Sequence, residues 1–167
     1  YRIILFFEST IMLKIDKPKS NSSLGVTVSG INLSNKISPE EKAVLNNLWS
    51  KFYILIFPNQ ILEHKEFENF SLTFGEFGHD PFIESIDKHP NIIEVKKEAD
   101  EKASHFGGSW HSDWSFQKAP PSATLLHSKI IPPVGGDTLF ANTILAYDGL
   151  SEQLKEEIDG LKVIHTA

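Results

Sequence analysis

The chain contains no cysteine, which excludes a disulfide framework and any metal site built on thiolates. That absence fits a reducing compartment, and a cytoplasmic location is expected. A basic block is also missing. Sixteen Lys and Arg stand against 22 Asp and Glu, for a net charge of −6, so the clustered cationic footprint of a nucleic-acid binder is absent. No apolar run approaches the roughly 20 residues that a membrane-spanning helix needs. Internal repeats and low-complexity tracts are lacking too. What the 167 residues do have is 40% hydrophobic content and twelve Phe, enough for the core of one domain or most of one.

The single Met is Met12. Ahead of it stands Tyr1-Arg2-Ile3-Ile4-Leu5-Phe6-Phe7. This apolar run is shorter than the hydrophobic stretch of a secretory signal, and no small-residue cleavage site follows it. Residues 1–11 are therefore expected to be translated upstream sequence, and residues 12–167 to form the domain.

Periodicity gives a coarse element map. Residues 24–28 read as a short strand that leaves through the turn Gly30-Ile31-Asn32-Leu33. Ser38 is a candidate helix cap, with Pro39 suited to the first turn and Glu41 three residues after the cap. Val44, Leu45, Leu48 and Trp49 recur at helical spacing, so that helix should run to about Lys51. The apolar run 53–57, stopped by Pro58, fits a buried strand. Residues 64–74 read as a second helix with Phe67, Phe70 and Phe74 along one side. Further strands are expected at 91–95, 123–129 and 137–141, and helices at 144–147 and 152–158. Short strands with a few helices make the fold class α+β.

The chemistry concentrates in Gly107-Gly108-Ser109-Trp110-His111-Ser112-Asp113-Trp114-Ser115-Phe116. On an extended strand, side chains two apart share a face. His111 and Asp113 would then hold one metal ion from one side. Two His and one carboxylate on one face leave other positions open, as a non-haem Fe(II) oxygenase requires. Taken alone, the triplet is weak and reads more readily as a surface His beside a solvated Asp.

The surroundings favour the metal. Downstream come Pro120-Pro121-Ser122-Ala123-Thr124-Leu125-Leu126, then Gly135-Gly136-Asp137-Thr138-Leu139-Phe140, then Ala146-Tyr147-Asp148 and Leu150-Ser151. Upstream stand Leu24-Gly25-Val26-Thr27-Val28-Ser29-Gly30, Phe57-Pro58-Asn59-Gln60 and Phe74-Gly75-Glu76. In this order the segments resemble the taurine dioxygenase family of Fe(II)- and 2-oxoglutarate-dependent oxygenases, which includes the chlorophenoxyacetate and alkylsulfate enzymes. Pro58 departs from the family's Phe-Arg-Asp-Gln pattern. The resemblance runs from about Leu24 to the last residue.

The resemblance implies a distorted double-stranded β-helix, a relative of the jelly roll and cupin barrels, with flanking helices. It implies an enzyme that hydroxylates a small organic acid, such as taurine or another sulfonate or sulfate ester. Fe(II), 2-oxoglutarate and O2 would take part, with release of succinate and CO2. His111 and Asp113 would be iron ligands. Thr138 would donate its hydroxyl to the distal carboxylate of 2-oxoglutarate, although Gly135-Gly136-Asp137 is also ordinary turn chemistry. Trp110, Gly107 and His79 fall where family members contact substrate, with His105 and Phe106 in the same loop. Gly107 stands where taurine-specific members carry Asn, and His79 is one position out of register. Both departures weaken a taurine assignment. Trp114, on the opposite parity from the ligands, reads as core packing.

The family's third ligand, a distant His, and its 2-oxoglutarate-binding Arg are expected beyond Ala167. By this reading the chain is the N-terminal portion of a longer enzyme, open to homo-oligomer formation, and is incomplete and inactive alone. His165 matches instead a His that ends the family's segment after Leu150-Ser151. Two other readings stay open: a cupin-type metal enzyme using His111, Asp113 and His165, and a non-catalytic fragment.

Overall fold

A computed structural model describes residues 13–17, 23–80, 82–98, 100–102 and 107–166. The stretch expected to be upstream sequence, residues 1–11, and the loop residues His105 and Phe106 lie outside the described residues. Among these, the elements run β1 (Lys14–Asp16), β2 (Val26–Ser29), α1 (Pro39–Phe52), β3 (Leu55–Ile56), α2 (His64–Ser71), α3 (Thr143–Asp148) and α4 (Glu152–Ile158).

The three strands form one mixed sheet in the order β1-β2-β3. β1 lies antiparallel to β2, with Ile15 opposite Val28, and β3 lies parallel to β2, with Val26 opposite Leu55. Parallel neighbours need a crossover, and α1 supplies it. Its start is fixed locally: Glu41 N–H donates to Ser38 Oγ and Ser38 N–H donates back to the Glu41 carboxylate. These reciprocal bonds satisfy two of the donors that a helix start leaves orphaned. Strand alternation buries Val26 and Val28, and the 3.6-residue period buries Leu45 and Leu48 against them.

Ile31, Leu33, Leu62 and Phe70 complete the core, with Phe57, Phe67, Phe74 and Leu125 packed at its margin. Edge-to-face contacts of Phe70 with both Phe57 and Phe74 tie α2 to this core. Gln60 closes the seam between the turn after β2 and the segment after β3. Its Oε1 accepts from Leu33 N–H and its Nε2 donates to the Ile31 carbonyl, both at 3.1 Å. One side-chain amide thus replaces a ladder rung.

Four expected strands need correction. Residues 91–95, the segment around His111, and residues 123–129 and 137–141 carry no ladder among the described residues. A strand is defined by a partner, and none of these segments has one. The period-two pattern survives at 123–127, where Ala123, Leu125 and His127 are half-buried and Thr124 and Leu126 are exposed. From residue 130 onward most apolar side chains stand on the surface, with Ile130 93% and Ile164 89% exposed. The helix expected at 64–74 ends earlier, at Ser71, and the remainder is a turn. β1 was not foreseen.

Candidate metal centre

His111 and Asp113 meet. His111 Nε2 lies 3.2 Å from Asp113 Oδ1, and both side chains are about half exposed. The backbone route differs from the expected strand. Asp113–Phe116 turns instead of extending, Trp114 takes a left-handed φ of 48°, and Gln117 N–H donates to the Trp114 carbonyl at 2.9 Å. The pair survives because the two residues up to Asp113 still place both side chains together.

Each ligand candidate has one polar atom engaged and one left over. His111 Nδ1 lies 2.8 Å from the Ser109 carbonyl oxygen. A carbonyl can only accept, so Nδ1 carries a proton, and Nε2 is the ring nitrogen that would present a lone pair to a metal ion. Asp113 Oδ2 accepts from Thr124 Oγ1 at 2.7 Å, which leaves Oδ1 facing Nε2. At 3.2 Å the two atoms share either a proton on Nε2 or a cation between them. An imidazole nitrogen with a carboxylate oxygen is the donor chemistry that divalent iron accepts. A metal with bonds of about 2.1 Å to each of two adjacent octahedral positions spans an N···O edge of about 3 Å, close to the observed separation. The residues present therefore fit the ion.

No third donor joins them. Among the described residues no group of three or more His, Cys, Asp or Glu could hold a metal ion. His165 comes near by another route: its Nδ1 lies 2.7 Å from Ser115 Oγ. That hydroxyl, two residues past Asp113, engages the ring.

The remaining candidates are dispersed. Gly107, at φ 67°, lies against the His111 ring. Trp110 is 71% exposed and packs on nothing aromatic among the described residues. The His79 ring is exposed, while its carbonyl accepts from Gln117 Nε2 at 2.8 Å. Thr138 is exposed and makes no hydrogen bond to a described residue.

Three participants escaped the sequence reading. Ser109 acts through its carbonyl, which no residue type announces. Thr124 follows from parity, since the residues beside it turn inward. Asp80 accepts from Trp114 Nε1 at 3.1 Å and from the backbone N–H groups of Phe82 and Ile83 at 2.7 and 3.0 Å. Trp114 is thus held by its indole N–H as well as packed. Burial works against the Asp80 carboxylate, but these three donors prevail and hold its pKa below the usual carboxylate range.

The profile of the taurine catabolism dioxygenase TauD, TfdA family matches residues 17–167. An alkylsulfatase of Acinetobacter baylyi is 32% identical over 149 residues, covering 89% of this chain and 46% of that protein. An alpha-ketoglutarate-dependent sulfate ester dioxygenase of Pseudomonas putida is 28% identical, covering 92% of this chain and 50% of that protein. A crystal structure of a taurine dioxygenase from Burkholderia xenovorans superposes with a TM-score of 0.73 at 30% identity, over 89% of this chain and 51% of that one. The chain spans about half the length of the curated relatives it matches.

Proposed function

The chain belongs to the taurine catabolism dioxygenase TauD, TfdA family, and from that premise we propose that it forms the N-terminal portion of an Fe(II)- and 2-oxoglutarate-dependent dioxygenase domain, a distorted double-stranded β-helix. The substrate class is a small organic acid, a sulfonate or sulfate ester, in keeping with relatives named as an alkylsulfatase, a sulfate ester dioxygenase and a taurine dioxygenase. The observation that carries the reading is the pairing of His111 Nε2 with Asp113 Oδ1 at 3.2 Å, each ligand fixed from behind.

Fe(II) with 2-oxoglutarate would supply the activation of O2 and the oxidative decarboxylation to succinate and CO2. The chain's own residues do the holding. Ser109 fixes the His111 tautomer so that Nε2 faces the ion. Asp113 offers Oδ1 as the anionic donor. Thr138 donates to the distal carboxylate of 2-oxoglutarate. Gly107, Trp110 and His79 border the substrate. Among the described residues no third donor joins the pair, so the remaining iron ligand and the cation for that distal carboxylate would come from elsewhere in the protein. Two features support that division: the unpaired extended segments 123–129 and 137–141, and the apolar side chains exposed beyond residue 129. Paired strands and a covering sheet would satisfy both.

The test is an anaerobic titration with Fe(II) and 2-oxoglutarate, followed by the weak visible metal-to-ligand charge-transfer band. It is run on the 167-residue chain and on a version carrying any in-frame sequence that follows in the gene. A band in the extended protein that disappears in His111→Ala supports the reading. No band in either protein overturns it.

A further inference from the structure

The pair of metal-facing side chains is held from a segment 11 residues away by a group with no assigned role. Thr124 Oγ1 donates to Asp113 Oδ2 at 2.7 Å. Its placement follows from the chain around it. Leu125 packs on the core, and the His127 ring lies 5.4 Å from that of Phe67. Lys129 Nζ donates to the Leu62 carbonyl at 2.8 Å. These odd-numbered contacts pin the segment to α2 and its leading turn. Alternation then turns Thr124 to the opposite side, toward Asp113. A β-branched side chain is stiff at χ1, so little rotamer freedom is lost when it holds one geometry.

The geometry points to Thr124 as a positioning residue that confines Asp113 to one-oxygen coordination. A carboxylate half exposed to solvent has two equivalent oxygens and could grip a cation with both. With Oδ2 turned to the hydroxyl, Oδ1 is the oxygen that faces the ion beside His111 Nε2. One coordination position then stays free for a further ligand. A two-oxygen grip would close it. The sequence 123–129 therefore does more than pack: its inward residues set the register, and its outward threonine sets the denticity of the neighbouring ligand. This inference rests on the metal-binding reading of His111 and Asp113.

Co(II) is the probe, titrated into the protein as expressed from its gene and followed by d–d absorption, whose intensity responds to coordination number. Four proteins are compared: the parent, His111→Ala, Thr124→Val and Thr124→Ser. Thermal unfolding without metal establishes that each is folded. Thr124→Val keeps the shape and removes the hydroxyl. It is expected to weaken Co(II) binding by about 10- to 100-fold, the usual range for loss of a group that orients a ligand, and to alter the d–d spectrum. Thr124→Ser is expected to restore both. A Thr124→Val protein with parental affinity and spectrum overturns the inference while leaving the metal site standing, provided that His111→Ala loses binding. Equal loss in the valine and serine variants also overturns it, because the methyl and not the hydroxyl would then matter. Parent and His111→Ala binding Co(II) alike would sink the metal reading itself and this inference with it.

Discussion

Gly107 lies against the imidazole of His111: a Cβ at position 107 would stand 3.2 Å from His111 Cε1 and 3.9 Å from Nε2. Its φ of 67° also falls where L-residues are rarely at ease. Any side chain here pays twice, in backbone strain and in crowding of the ring edge that carries the metal-facing nitrogen. Gly107→Val should be the harsher change, since β-branched residues tolerate positive φ worst. We expect it to cost about 1–2 kcal/mol of stability and to weaken Co(II) binding by about tenfold. Gly107→Asn, at ease in the left-handed region, should keep most of the stability and still lose affinity. Urea unfolding and metal titration separate the two effects. Parental affinity in both variants would show that the ring has room to move.

The Asp80–Trp114 bond ties the segment after α2 to the turn that carries Asp113. Asp80→Ala removes the acceptor for three donors at once. A loss of about 1.5–3 kcal/mol at neutral pH is expected, the range for hydrogen bonds to a charged group. The pH dependence has a defined sign. The folded-state pKa of Asp80 lies below its ordinary value, so its contribution is fully present above the unfolded pKa of about 3.9. That contribution fades as the pH falls through the lower, folded value. Asp80→Ala should therefore be less stable than the parent at pH 7, and the gap should narrow toward pH 3. A gap independent of pH would assign the effect to packing and not to the carboxylate.

Gln60 is the residue through which the Phe57-Pro58-Asn59-Gln60 motif acts on the fold. Its amide serves Ile31 and Leu33 with one acceptor and one donor. Both flanking side chains are buried, so water replaces those bonds poorly. Gln60→Ala should destabilise the protein by about 1–3 kcal/mol, and Gln60→Glu should recover part of this by retaining the acceptor for Leu33 N–H. Guanidinium unfolding of the three proteins checks the order. If Gln60→Ala matched the parent, the bracket would be dispensable.

These cases show which features a sequence makes visible. The start of α1 was readable because a capping box is local: Ser38, Pro39 and Glu41 are neighbours, and their bonds depend on little else. His111 and Asp113 were readable for the same reason, two residues apart and brought together by a short span of backbone. The segments 91–95, 123–129 and 137–141 have no ladder among the described residues, because an apolar pattern marks a face and not a partner. At 123–127 the alternation itself was right. The turn at Asp113–Phe116 depends on Trp114 adopting φ 48°, which its residue type gives no reason to expect. Thr124, Ser109 and Asp80 act across bonds that residue chemistry alone cannot pair. Of these, Thr124 had a usable signal, the inward turn of Leu125 and His127 beside it.

Thr138 stands exposed after Gly136, with a hydroxyl that bonds to no described residue. On the proposed function that hydroxyl meets the distal carboxylate of 2-oxoglutarate. Thr138→Val then removes a hydrogen bond to a charged group, about 1.5–3 kcal/mol, or roughly 10- to 150-fold in 2-oxoglutarate affinity. Metal affinity measured without 2-oxoglutarate should not change. Isothermal titration of 2-oxoglutarate into Mn(II)-loaded protein reads the first quantity, and Mn(II) titration alone reads the second. A variant that loses Mn(II) binding would place Thr138 in the support of the metal, not of the co-substrate.

His165 distinguishes the dioxygenase reading from a barrel whose three ligands all lie within these residues. Its Nδ1 is 2.7 Å from Ser115 Oγ, and no three-donor group forms among the described residues. A ring nitrogen engaged by a hydroxyl is not free to ligate, though the other nitrogen could swing if the segment moved. Removal of a true ligand has a large effect, whereas removal of a residue that only contacts Ser115 has almost none. His165→Ala should therefore bind Co(II) as the parent does, while His111→Ala and Asp113→Ala should each bind far more weakly. The 167-residue chain is the decisive protein for this measurement, because His165 is the third ligand that the three-ligand barrel requires there. Comparable losses in His165→Ala and His111→Ala would mean that the site closes on itself, and the three-ligand barrel would replace the oxygenase as the better reading.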